Sequence, residues 1–158
     1  MYNKRHSDGS IKIDDGVNIV VSPYFANFYD EIEDGIKETV QVLLELGYLT
    51  ISSCQGTHGE YPVANVVVVV DSSTSAKKLM FDLSQLRIIS TIDHSFDHFG
   101  IEEINKLFLR QYTDYKCVMI WVYNPNQFTF PFNNSWLVRS YFIKRTTSRL
   151  KKLKKYLS

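Results

Sequence analysis

No apolar run in this sequence approaches the roughly 20 residues that a membrane-spanning helix needs, which directs the reading toward a soluble chain with no membrane partner. The opening stretch, Met1 to Ile19, is polar and lacks the basic, apolar and small-residue order of a secretory signal, so a cytoplasmic location is expected. Cysteine is scarce as well. Cys54 sits in a Ser/Gly-rich turn and Cys117 inside the apolar run Tyr115 to Tyr123, and two cysteines in such unlike settings exclude a disulfide framework. Cys117 reads as a small core residue. With 7 glycines and 4 prolines dispersed along the chain, there is no Pro/Gly-rich linker, and no internal repeat is visible, so residues 1–158 are expected to form one domain.

Acidic side chains are missing from the last twenty residues, which carry eight cations: Arg139, Lys144, Arg145, Arg149 and the lysines at 151, 152, 154 and 155. Against a total of +1, the rest of the chain therefore has a formal charge of −7. A basic tail on an acidic body attracts a polyanion such as nucleic acid, or pairs with the protein's own acidic surface. What is plentiful is core material. A content of 44% hydrophobic and 14% aromatic residues suffices for a buried core at this length.

The order of periodicities predicts an α+β domain. Alternating stretches around Asp15-Gly16 predict a β-hairpin with a two-residue turn. Ile32, Ile36, Val40, Leu43 and Leu44 recur at helical spacing from Asp30, with Asp30 and Glu33 resembling a capping box and Gly47 a stop, although Gly35 weakens the first turn and allows a start near Asp34 instead. Tyr48 to Ser52 reads as a strand, and Val63 to Val70 as a central strand with both faces covered. A helix over Ala76 to Leu86, capped from Asp71 to Ser75, a strand over Arg87 to Ile92, a helix over Gly100 to Gln111 and a strand over Tyr115 to Tyr123 follow. A basic amphipathic helix from about Ser135 to Leu157 closes the chain. We expect a mixed or antiparallel sheet of four to six strands with helices packed on it, a ferredoxin-like core plus the C-terminal basic helix.

The loop Ser52-Ser53-Cys54-Gln55-Gly56-Thr57-His58-Gly59 concentrates a thiol, an amide, hydroxyls, an imidazole and two glycines between neighbouring strands. Glycines let backbone N–H groups form an anion-binding nest, while Cys54 and His58 could act as nucleophile and base or as metal ligands. The same residues equally suit an ordinary hairpin turn. Lys77 and Lys78, behind the hydroxyls at 71–75 and a helix start, offer help in holding a phosphate; simple capping is the alternative. His94 and His98 would share a face if the segment were helical and make two zinc ligands, with Cys54 or His58 as a third; Gly100 and the polar residues make a turn or cap equally natural. Asp30, Glu31, Glu33 and Asp34 could hold a hard cation or simply favour a helix start. Phe128, Phe130, Phe132 and Trp136, ahead of the basic helix, form a base-stacking platform or a core seal.

The stretch Tyr48-Leu49-Thr50-Ile51-Ser52-Ser53-Cys54-Gln55-Gly56 resembles the Thr-x-Ser-Ser-Cys-Ser-Gly-Arg segment of the tRNA wybutosine-synthesis methyltransferase family. Ser52, Ser53, Cys54 and Gly56 match, Gln55 replaces the motif serine and Thr57 its arginine. The resemblance covers about 25 of the 158 residues, and it implies S-adenosylmethionine as cofactor and RNA as substrate. The richness in Lys, Ile, Asn, Tyr and Phe is similar to accessory proteins of AT-rich phage genomes. The leading expectation is a small binding protein for a phosphate-bearing ligand or nucleotide at Cys54 to Gly59. Alternatives from other classes are an RNA-modifying methyltransferase-like enzyme and an accessory protein that acts by protein–protein interaction.

Overall fold

The computed structural model describes residues 12–14, 16, 19–56, 63–123 and 136–153. It opens with a hairpin in which β1 (Lys12–Asp14) pairs antiparallel with β2 (Ile19–Val21), Ile13 opposite Val20. Four residues separate the paired ends Asp14 and Ile19, so the connection is longer than the two-residue turn expected at Asp15-Gly16.

The first helix begins later than its periodicity suggested. Two 3-10 turns, Phe28–Glu31 and Asp34–Ile36, precede α1 (Lys37–Glu45). Glu33 makes no capping bond; its carboxylate accepts the backbone N–H of Gln55 instead, at 3.1 Å. Gly35 lies so close to Gln55 that a Cβ there would stand 2.5 Å from Oε1. The close approach, rather than helix propensity, explains a glycine at this position. The helix stops where expected: Gly47 takes φ +94°, its N–H reaching Leu44 and that of Tyr48 reaching Leu43. Those two bonds form a Schellman motif.

Four strands, β3 (Leu49–Cys54), β4 (Ala64–Val70), β5 (Ile89–Ile92) and β6 (Lys116–Tyr123), build an antiparallel sheet in the order β3-β4-β6-β5. The helix α2 (Ser73–Gln85) carries the chain from β4 to β5, leaving room between them for β6. The split β-α-β unit expected of a ferredoxin-like core is therefore present. Its fourth strand, however, comes from before the unit: β3 precedes β4 and pairs with it directly.

The valine run is central, as its composition required. Val66, Val68 and Val70, with Val118, Ile120 and Val122 of β6, face α1, α2 and α4 (Trp136–Leu150). Val67 and Val69 face the other way, joining Leu49, Ile51, Cys117 and the helix α3 (Ile101–Phe108). Side chains alternate across a strand, so a strand covered on both faces must be apolar throughout. Each fully buried valine contributes about 1.5 to 3 kcal/mol.

Against this sheet α4 packs beside α1 and β6, with Ile143, Thr147 and Leu150 buried, and a 3-10 turn, Lys151–Leu153, extends it. Thr147 donates to the Ile143 carbonyl at 2.7 Å, so the Thr39 hydroxyl donates to Thr147 across the helix pair, also at 2.7 Å. Leu150 and Leu153 point inward while Lys151 and Lys152 stay exposed, and Lys151 pairs with Glu38. Among the described residues no helix is long and apolar enough to cross a membrane.

Candidate functional site

The loop singled out in the sequence leaves β3 at Cys54, opposite Asn65 of β4. Residues 57–59, which include His58, lie outside the described residues. The polar groups of Cys54, Gln55 and Gly56 are already engaged in part. Gln55 N–H donates to Glu33, Gln55 Oε1 accepts Gly35 N–H at 2.8 Å, and Gly56 N–H donates to Cys54 Sγ at 3.3 Å. An anion nest needs free donors, and here the chain's own carboxylate takes one of them. Burial pushes the Cys54 thiol above its ordinary value, the Gly56 N–H works against that rise, and the Glu33 carboxylate adds to it. A thiol raised in this way stays protonated at neutral pH, unlike a nucleophile or a soft metal ligand.

Beside the loop runs a cleft of about 200 Å³, walled by Val21, Phe28, Glu31, Ile32, Glu33 and the strand segment Thr50 to Ser53. Ser52 and Ser53 line it, whereas Cys54, Gln55 and Gly56 do not. Two glutamates on its wall disfavour a phosphate.

Lys77 and Lys78 do not join this loop. Because α2 follows Val70, and Val69 pairs with Leu49, its first turn lies at the end of β3 opposite Cys54. Five strand residues, about 17 Å, separate the two places. There Ser72 Oγ accepts Ser75 N–H, Ser75 Oγ donates to Asp71, and Lys78 pairs with Asp82 at 3.1 Å. Capping consumes the Ser72 and Ser75 hydroxyls that a phosphate would need.

The histidine segment is not helical. Bonds from Asp97 N–H to His94 and from Phe99 N–H to Phe96 mark successive turns, held by Asp93, which accepts from Ser95, and by Tyr115, whose hydroxyl sits between the carbonyls of Phe96 and Phe99. His94 bonds to Asp97 at 2.7 Å, and the His98 ring lies against Phe99. Since β5 and β3 are opposite edges of the sheet, Cys54 is no neighbour of either histidine. Among the described residues no three His, Cys, Asp or Glu side chains stand close enough together to hold a metal ion. The acidic set near Asp30 is likewise engaged in part, with Asp34 paired to Lys37 at 2.8 Å and its carboxyl held below the usual range by that lysine.

A different place gathers uncompensated charge. Between the end of α2, the start of β5, the end of β6 and α4 lies a cleft of about 160 Å³ whose walls include Arg87, Trp121, Phe142, Arg145 and Arg149. Among the described residues none of the three arginines forms an ion pair with an acid. Arg145 lies over the Phe142 ring at 6.0 Å, and burial together with the positive charges of Arg145 and Arg87 pulls Arg149 below its ordinary value. Tyr141, 62% exposed, stands edge-on to Phe142 at 5.2 Å.

Each element places its cation by ordinary means. Arg145 and Arg149 are four apart on α4 and so share a face. Arg87 follows α2 in the left-handed conformation, φ +60°, its N–H reaching Ser84 and that of Ile88 reaching Leu83. Glycine occupies the matching place after α1, and a side chain here costs on the order of 1 kcal/mol. Leu109 after α3 tolerates the same geometry, so the conformation alone does not mark a site. What marks it is where the guanidinium lands. Arg145 and Arg149 belong to the basic tail evident in the sequence, and Tyr141 and Phe142 precede them in the same helix; Arg87 is brought to them only by the fold. Comparison of the chain with protein-family models, with curated proteins and with solved structures finds no match.

Proposed function

We propose that this protein binds a phosphate-bearing ligand in the cleft formed by Arg87, Arg145 and Arg149. The observation that carries the reading is the convergence of three guanidinium groups on one cleft without an acidic partner among the described residues. Like charges held together raise the energy of the unliganded state, and an anion relieves it. Arginine suits the task because its planar donors match phosphate oxygens two at a time. The sequence favoured the Cys54 to Gly59 loop for this ligand. Glu33 beside the loop and the internal bonds of Gln55 and Gly56 speak for the arginine cleft instead.

The reading is tested by thermal unfolding with inorganic pyrophosphate as probe. A ligand present at 100 times its Kd stabilises the native state by about 2.7 kcal/mol, several degrees in Tm at this size. Pyrophosphate should raise Tm in the native protein and lose most of that effect in the Arg145→Ala, Arg149→Ala variant, whose own Tm should not fall. Equal shifts in both proteins, or none in either, would remove the proposal.

A further inference from the structure

The arginine cleft is too small for the ligand it appeals to, and the mismatch identifies the ligand class. Pockets that enclose a drug-sized or nucleotide-sized molecule measure about 300 to 1,000 Å³, whereas this one holds about 160 Å³. It has room for a phosphate group but not for the sugar and base attached to one. Whatever carries the phosphate must leave the cleft and continue over its rim.

That rim exposes apolar surface. Tyr141 is 62% exposed although its ring abuts Phe142, and Ile89 on the far wall is 49% exposed. From Tyr141 to Arg149 the helix rises about 12 Å, which exceeds the span of a single phosphate group. Along it an open aromatic ring, a cation stacked on a second ring, and a further cation follow one another. From Trp136 to Leu150 α4 carries no acid. Alternating rings and cations fit a ligand with a repeated anionic backbone and flat apolar groups. Duplex nucleic acid keeps its bases stacked inside, so only an unpaired strand can offer them to Tyr141.

We infer that the ligand is single-stranded nucleic acid, with a backbone phosphate in the Arg87, Arg145 and Arg149 cleft and a base stacked on Tyr141. This inference rests on the phosphate-binding reading of the same cleft. It adds a polymer and an aromatic contact that phosphate binding alone does not require. Neutralising that one phosphate on a single strand predicts a slope of about −0.7 in log Kobs against log salt, and the Arg145→Ala, Arg149→Ala variant should lose most of it. Loss of one stacked base corresponds to a drop in affinity of about 5- to 150-fold.

The test is fluorescence anisotropy with labelled twelve-nucleotide single strands of mixed sequence, one of RNA and one of DNA. The competitors are the matching duplex, a mononucleoside triphosphate and inorganic polyphosphate. Expected are binding of at least one strand with a slope of about −0.7, weaker competition by all three competitors, a loss of about 5- to 150-fold in Tyr141→Ala, and recovery in Tyr141→Trp. Which strand binds better reports whether the sugar hydroxyl is read. If triphosphate or polyphosphate competes equally well and Tyr141→Ala changes nothing, single-strand recognition is wrong while the phosphate site stands. Preference for duplex overturns it too. Should no anion bind, or should Arg145→Ala, Arg149→Ala bind as the native protein does, both readings fall together.

Discussion

The mouth of the β3–β4 loop and the arginine cleft contrast in how their polar groups are satisfied. At the loop, a thiol, an amide and two backbone donors sit within three residues, yet Glu33, Gly35 and the loop itself take up their bonds. At the cleft, Arg87, Arg145 and Arg149 come from two distant stretches of chain and among the described residues meet no carboxylate. Chemical variety in a short segment is thus a poor guide to ligand binding. Groups that bond each other hold a structure together, and groups that repel each other need something from outside.

Substitutions at the two regions should separate stability from binding. The largest effect on binding is expected from the double change Arg145→Ala, Arg149→Ala. Hydrogen bonds to charged groups contribute about 1.5 to 3 kcal/mol each, so affinity for a phosphate-bearing probe should fall at least 100-fold by titration calorimetry while Tm holds or rises. Gly35→Ala should do the reverse. Its Cβ would displace Gln55 Oε1 and break the bond that Gly35 N–H makes to it, costing about 0.5 to 1.5 kcal/mol in denaturant unfolding with little change in affinity. An equal loss of binding in Gly35→Ala would place the ligand at the loop after all.

A smaller effect comes from Arg87→Gly, which removes one cation and relieves a left-handed side chain together. Affinity should drop about tenfold while stability increases by up to about 1 kcal/mol, and a drop in both would mean that Arg87 is merely structural. Cys54→Ser should be the mildest of the four, leaving affinity within a factor of two. Consistent with its raised value, the Cys54 thiol should react with iodoacetamide at neutral pH more slowly than free cysteine.

The two cysteines extend the contrast to pH. Burial pushes the Cys117 thiol up to about 12, with Asp93 and Asp97 adding to the rise. Its folded value thus lies above its ordinary one of 9.0, so the stability tied to the neutral thiol is intact below pH 9 and is lost as pH climbs toward 12. Denaturant midpoints measured from pH 8 to 11 should fall at the alkaline end, and Cys117→Ala should flatten that fall relative to the native protein.

Much of the architecture was legible from the sequence because it is written locally. The valine run reads as a central strand by composition alone, and Gly47 reads as a helix stop because only a left-handed residue closes that turn. A later start of the first helix was legible in Gly35, which weakens the first turn; its cause was not, since Gln55, twenty residues on, claims Glu33 and crowds Gly35. The extra connection residues after β1 were hidden by an Asp-Gly pair that looks like a tight turn. His94 and His98 have helical spacing, but Asp93 and Tyr115 fold that segment into turns from either side. At the arginine cleft half of the signal was present as a helical Tyr141, Phe142, Arg145 and Arg149 pattern. Arg87 carries no local mark, because its meaning depends on α2 ending beside α4.

The most direct test follows backbone and indole resonances by NMR while an unlabelled single-stranded oligonucleotide is titrated in. The account predicts shifts concentrated at Arg87, Trp121, Tyr141, Arg145 and Arg149, with Cys54, Gln55 and Gly56 unmoved. Shifts centred on Cys54 to Gly56, with the arginine resonances still, would contradict it.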